Sequence, residues 1–235
     1  SINPTTGEFS WAPDGSQFGQ PYLITVQVID SGGLFDQETI TVTIKDNVAP
    51  VITVNNPTAG ADYTLNQSVL ANYSCADTGG SGIQSCTGTV ANGAAIDTTS
   101  VGTKTFTVTA IDKAGNQSTQ TVSYTVGYGI AVLFDQTKAN NSGSNIPIKL
   151  TIVDANGVNL SAANIQLTAV RVDPGNLPAQ SPGNSNPTNV FSFDSSSQSY
   201  QYNLNSEKTW AAGTYRLVFR IAGDPIEHFV SFNIR

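Results

Sequence analysis

Apolar and polar residues alternate along most of this chain, and few folds accept that pattern. Tyr22, Ile24, Val26 and Val28 fall on one side of YLITVQV, and Ile40, Val42 and Ile44 on one side of TITVTI. Phe106, Val108 and Ala110 repeat the scheme, as do Val122, Tyr124 and Val126. Nearer the end Tyr200, Tyr202 and Leu204 align, then Tyr215, Leu217, Phe219 and Ile221. A period of two places successive side chains on opposite faces of an extended strand, whereas helix spacing is nearly absent. The runs are separated by Gly, Asp, Asn and Pro, the residues of tight turns. Half-buried antiparallel strands and an all-β fold follow.

An internal repeat sets the domain plan. The stretch VQVIDSGGLFDQETITVTI (26–44) aligns without a gap on VTAIDKAGNQSTQTVSYTV (108–126), with Val26 falling on Val108. Asp30 matches Asp112, Gly33 matches Gly115, and Ile40, Val42 and Ile44 match Val122, Tyr124 and Val126. Each copy reads as a strand, an Asp/Gly turn and a second strand, the closing hairpin of an immunoglobulin-like domain of roughly 100 residues. The expected architecture is a tandem of immunoglobulin-like antiparallel β-sandwiches. Residues 1–47 hold the second half of one, 48–126 a complete one, and 127–235 a third. KDNVAP (45–50) and GYG (127–129) are the linkers. The short first part, and a chain without Met even at position 1, point to a C-terminal piece of a longer protein with Arg235 as its natural end.

Charge and cysteine usage exclude several functions. Only 11% of residues are charged, against about 25% in an average soluble domain, so Ser, Thr, Asn and Gln carry solubility. A net charge of −7 with scattered basic residues leaves no surface for a nucleic-acid backbone. No apolar run is long enough to span a membrane as a helix. Cys75 and Cys86 lack the spacing of a zinc site, and one histidine adds little to a ligand set. A disulfide across the loop CADTGGSGIQSC is the plain reading, and it implies an oxidising compartment: a secreted or cell-surface protein.

Residues 48–126 resemble a bacterial immunoglobulin-like repeat, through the cysteine pair, SVGTKTFTV and DKAGN in that order. Residues 127–235 are similar to a domain that closes many secreted proteins and is named for a Pro-x-Lys-Phe motif. Pro147 and Lys149 stand in SGSNIPIKL, with Leu150 where that family has Phe. The opening stretch, with NPTTGEF and VIDSGG, resembles the second half of a cadherin-like domain. These resemblances imply stalks, spacers and adhesion modules, and supply no catalytic residue.

Few residues offer chemistry. His228 is the single histidine and shares a strand face with Ile226, Val230, Phe232 and Ile234, which suits a core edge better than a catalytic triad. Most acids sit in turn contexts, where Asp caps its own turn, so no enzymatic activity is expected. Calcium is the sharpest positive expectation, since it takes carboxylate and carbonyl oxygens and IKDNVAP resembles a cadherin linker. Its candidate ligands are Glu8, Asp30, Asp36, Asp46, Asn47 and Asp112, with Asp62 as a further donor; hydrogen-bonded turns explain the same residues without an ion. DANGVN (154–159) resembles part of a calcium-binding loop but lacks the distal Glu, and reads as a hairpin turn. No other cofactor is expected. Trp11 and Trp210 are candidates for stacking on a glycan, or for core packing. Sequons begin at Asn66, Asn72, Asn116, Asn140 and Asn159, with little modification expected. The expected function is structural: a stalk, spacer or adhesion module partnering the upstream domains of its parent protein. A calcium- or glycan-binding module on a cell surface is one alternative. A fibre subunit that pairs strands with another copy through its incomplete first domain is the other.

Overall fold

The computed structural model describes residues 1–3, 5–179 and 188–235. The protein is all-β: among the described residues the single helical element is a three-residue 3-10 turn, Gly15–Gln17, capped by Asp14. The strands build immunoglobulin-like antiparallel sandwiches. In chain order the first are β1 (Pro21–Ile29), β2 (Phe35–Thr43), β3 (Val51–Asn56), β4 (Asp62–Thr64), β5 (Asn72–Ala76) and β6 (Ile83–Gly88). They are followed by β7 (Gly102–Asp112), β8 (Gln117–Gly127), β9 (Gly129–Val132), β10 (Ala139–Asn140) and β11 (Asn145–Val153). The last are β12 (Leu167–Asp173), β13 (Leu177–Pro178), β14 (Ser192–Asp194), β15 (Ser199–Asn205), β16 (Gly213–Ile221) and β17 (Glu227–Ile234).

By contacts the chain divides into two compact units. One contains Ser1–Asn56, Ala71–Ala94 and Phe106–Thr121; the other contains Pro57–Leu70, Ala95–Thr105 and Val122–Arg235. In the first, β1 and β2 pair over their whole length, from Pro21 opposite Thr43 to Ile29 opposite Phe35. The pair β3–β5 presents Ile52 and Tyr73 to Phe106, Val108 and Ala110 of β7, all buried, with Tyr73 and Phe106 ring centroids 5.8 Å apart. The disulfide expected between Cys75 and Cys86 is present and ties β5 to β6.

In the second unit, β4 runs parallel to β8, and Val122, Tyr124 and Val126 are buried. The larger core lies between the sheets β10-β17-β16-β12-β13 and β14-β15-β11-β9. Ile146, Ile148, Leu150 and Ile152 enter it from β11, Tyr200, Tyr202 and Leu204 from β15, and Leu217 and Phe219 from β16. Every set alternates, so one face of each strand supplies this core. Leu150, which stands where the resembled family has Phe, is fully buried within β11. Here too a short strand, β10, pairs parallel to the last strand, β17.

The repeat holds at the level of single hydrogen bonds. In the register that sets Val26 on Val108, the start of β8 falls on the start of β2. Both turns are built alike: Gly33 donates to the Asp30 carbonyl and Gly115 to the Asp112 carbonyl, at φ of 84° and 93°. Glycine takes that left-handed conformation at little cost, whereas a Cβ would not. The Asp30 carboxylate accepts the Gly32 and Leu34 amides, and that of Asp112 accepts the Asn116 amide at 2.8 Å. DANGVN makes the same turn, with the Asp154 carboxylate accepting the Asn156 and Val158 amides.

Candidate functional site

The linker after β2 is fastened to two loops of the following sandwich. Its Asp46 carboxylate accepts Val48 N–H at 3.0 Å, which turns the linker on itself, and Ser81 N–H at 2.7 Å, which fixes it to the cysteine loop. From the β7–β8 turn, Asn116 Nδ2 donates to the Asp46 carbonyl at 3.1 Å and to the Asp112 carboxylate at 2.7 Å. Ser118 Oγ donates to the Pro50 carbonyl. The loops also hold each other, through Lys113 N–H to the Gly82 carbonyl at 2.9 Å and Ala114 N–H to Ser81 Oγ at 3.1 Å. Such side chain–backbone bonds anchor a segment that has no sheet ladder of its own.

This fastening gathers three carboxylates. Asp46, Asp77 and Asp112 offer oxygens that all lie within 4.8 Å of one another. Asp112 is fully buried and Asp46 nearly so. Three anions so close repel unless donors or a cation compensate. The donors are amides: Val48 and Ser81 hold the Asp46 carboxyl below its ordinary value, and Gly82 N–H reaches Asp77 Oδ2 at 2.7 Å. Among the described residues no ion pair engages any of the three. Asp77 Oδ1 is buried and has no hydrogen-bond partner. A buried carboxylate oxygen without a partner is costly, and hard oxygens at this spacing suit a divalent cation such as calcium.

Of the residues expected at a calcium site, the structure brings Asp46 and Asp112 together. Glu8, Asp30 and Asp36 are exposed and lie outside the cluster, the last two capping nearby backbone amides. Asn47 is exposed beside Asp46, and Asp62 is exposed at the start of β4. Asp77 is the member that sequence reasoning misses. Its one signal in the sequence is its place two residues after Cys75, in a loop the disulfide closes.

Of the two tryptophans, Trp210 packs into the core and Trp11 does not. Trp210 is 7% exposed, stacked on Tyr215 with centroids 5.0 Å apart and beside Phe232 at 6.3 Å, so protein occupies its faces. Trp11 is half-buried and meets Tyr22 edge-on at 4.9 Å. His228 is buried over Phe219, with Nε2 2.9 Å from an Asp224 carboxylate oxygen that also accepts Tyr128 N–H at 2.7 Å. The sequon residue Asn116 is engaged in the linker contacts. Among the described residues no helix is long and apolar enough to cross a membrane.

No protein-family model matches the chain, and no curated protein sequence matches it. Among solved structures, similar chains include the fibronectin(III)-like modules of Clostridium thermocellum CbhA, at 13% identity and a TM-score of 0.26. The alignment covers 78% of this chain and 93% of that one. Extracellular cadherin domains 3–6 of protocadherin gamma B2 are 15% identical, with 100% of this chain and 61% of that one covered and a TM-score of 0.31. An I-band fragment of titin is 11% identical, with 80% and 66% covered and a TM-score of 0.28. At these scores nothing about function follows from the similarities.

Proposed function

We propose that this chain is a spacer segment of a secreted or surface protein, built from tandem immunoglobulin-like sandwiches and without enzymatic activity of its own. The observation that carries this reading is the fastened linker. An ordinary connection between modules leaves its backbone to water, whereas residues 46–50 are bonded from Ser81, Asn116 and Ser118. A joint held in this way keeps what lies on either side at a set spacing. The next linker is treated similarly, with Tyr128 N–H bonded to Asp224 at 2.7 Å. The disulfide supports an oxidising, extracellular setting. The resemblance of residues 48–126 to a bacterial immunoglobulin-like repeat, and of 127–235 to the Pro-x-Lys-Phe domain, supports a bacterial exoprotein. Amide hydrogen exchange tests the reading: Val48 and Ser81, whose N–H groups bond the Asp46 carboxylate, exchange as slowly as neighbouring strand ends in the native chain and faster in Asn116→Ala. Fast exchange in the native chain would sink it.

The buried, unpartnered Oδ1 of Asp77 favours a second reading, a calcium ion at the same joint. Asp46, Asp77 and Asp112 would supply carboxylate oxygens, with neighbouring carbonyls and water completing the six to eight ligands that calcium takes. The ion would supply charge neutralisation and cross-link the linker to both loops. Calorimetric titration with CaCl2 should show saturable heat that Asp77→Asn abolishes. Absence of heat with the native chain removes the ion and leaves the hydrogen-bonded joint standing.

A further inference from the structure

The outer face of strands β17, β16 and β12 collects arginine. Arg171, Arg216 and Arg220, three of the four arginines of a chain with net charge −7, stand there on the side away from the core residues Leu217 and Phe219. Two of the three are neutralised, since Glu227 takes Arg171 Nη1 at 3.0 Å and Arg220 Nη2 at 2.7 Å. Asp173 is the strand partner of Arg216, yet its carboxylate turns to Arg171 Nε at 3.3 Å. Among the described residues no carboxylate therefore pairs with Arg216. Its guanidinium lies instead over the ring of Phe229, 4.6 Å from the centroid. Stacking of this kind sets the plane of the guanidinium and leaves the donors on its edge free. Beside it opens a hollow of about 370 Å³ lined by Asp173, Pro174, Thr214 and Arg216, within the size range of small-ligand sites.

We propose that this hollow binds a uronic acid residue of an acidic polysaccharide, with Arg216 holding the sugar carboxylate through two parallel N–H···O bonds. The guanidinium fork matches a carboxylate in that way. The other polar atoms select for the rest of the ring. Asp173 Oδ1 accepts no hydrogen bond from the described residues, and the Thr214 hydroxyl donates its proton to Asn233 Oδ1 at 2.8 Å. Both oxygens are left to accept, and sugar hydroxyls are the donors that suit them. Pro174 supplies an apolar wall for the face of the ring. A phosphate brings more negative charge toward Asp173 and no row of hydroxyl donors, so the hollow disfavours it. A neutral sugar leaves the guanidinium without a counter-charge. An acid and several hydroxyls on one small ring meet all four lining residues. This binding activity goes beyond spacing and does not depend on it.

The test is an NMR titration of the full chain with the trimer of galacturonic acid. Saturable shifts are expected at the amides of Asp173, Thr214 and Arg216. The methyl-esterified trimer keeps the ring hydroxyls and loses the charge, and should bind at least about tenfold more weakly, as expected for a lost charge-assisted hydrogen bond. Arg216→Ala should weaken the acid to the same extent, and Arg216→Lys should weaken it too, because an ammonium keeps the charge without the fork. Since the esterified trimer is read on the native chain, the outcome stands even where a variant folds poorly. Four results overturn the proposal: no saturable binding of the acid; an ester that binds as tightly; inorganic phosphate or tri-glutamate that binds as tightly; or shifts centred away from the hollow.

Discussion

Asp46 performs two tasks with one carboxylate, turning the linker through Val48 and fastening it through Ser81. Both bonds favour the charged form, so its folded value lies below the ordinary 3.8. A carboxyl depressed on folding stabilises the folded state above its unfolded value, and that contribution disappears as pH falls through the lower folded value. Amide protection at Val48 and Ser81 should therefore be intact at pH 5 and be lost only as pH falls below the ordinary 3.8; protection that is independent of pH there would contradict the assignment. Asp97 provides an independent check in the other unit. Thr99, through its hydroxyl and amide, and then Lys104 hold its carboxyl down to about 2. Its carbon resonance should titrate with a midpoint near that value, and Lys104→Ala should raise the midpoint. At the acidic cluster, Asp46 and Asp112 are legible in the sequence because a linker and a repeated turn name their positions. Asp77 is not, since sequence alone does not say where a Gly-rich loop folds back. For the same reason Glu8, Asp30 and Asp36 group in sequence with acids they do not meet: identity of residue type carries no distance.

Strands are the most legible elements, because a period of two fixes both the conformation and the face that is buried. The turns at Asp30, Asp112 and Asp154 are legible as well, each an Asp followed three residues later by a Gly at positive φ. Alternation does not say whether a face is covered, since β1–β2 and β7–β8 carry the same pattern with opposite burial. Stability should follow burial and not pattern. Phe106→Ala should cost about 3–5 kcal/mol in chemical denaturation, while Ile40→Ala should stay within about 0.5 kcal/mol; similar costs would contradict the difference between the hairpins. The cysteine loop is the second element to test. Closing so short a loop contributes about 3 kcal/mol in the chain-entropy model. The Cys75→Ala/Cys86→Ala variant should lose roughly that much, and exchange at Ser81 should rise as the loop carrying Asp77 loosens. A loss of stability without faster exchange at Ser81 would separate the disulfide from the joint.

Taken as one polypeptide, the protein puts most of its chemistry into connections. Asp112, Asn116 and Ser118 on one turn, and Asp154 and Asp224 on others, use polar side chains to fasten backbone or to make the turns beside a linker. Trp210, an aromatic residue that could have faced a ligand, is spent on the core. A spacer in which joints are built is what that division supports, and calcium, where it binds, would tighten a joint that hydrogen bonds already define. The decisive quantity is the internal motion of the linker backbone. Nitrogen-15 relaxation of residues 46–49 in the native chain should give order parameters near 0.85, those of a rigid backbone, without added calcium. Values below about 0.6, typical of a flexible connection, would contradict the fastened joint and the spacer function with it.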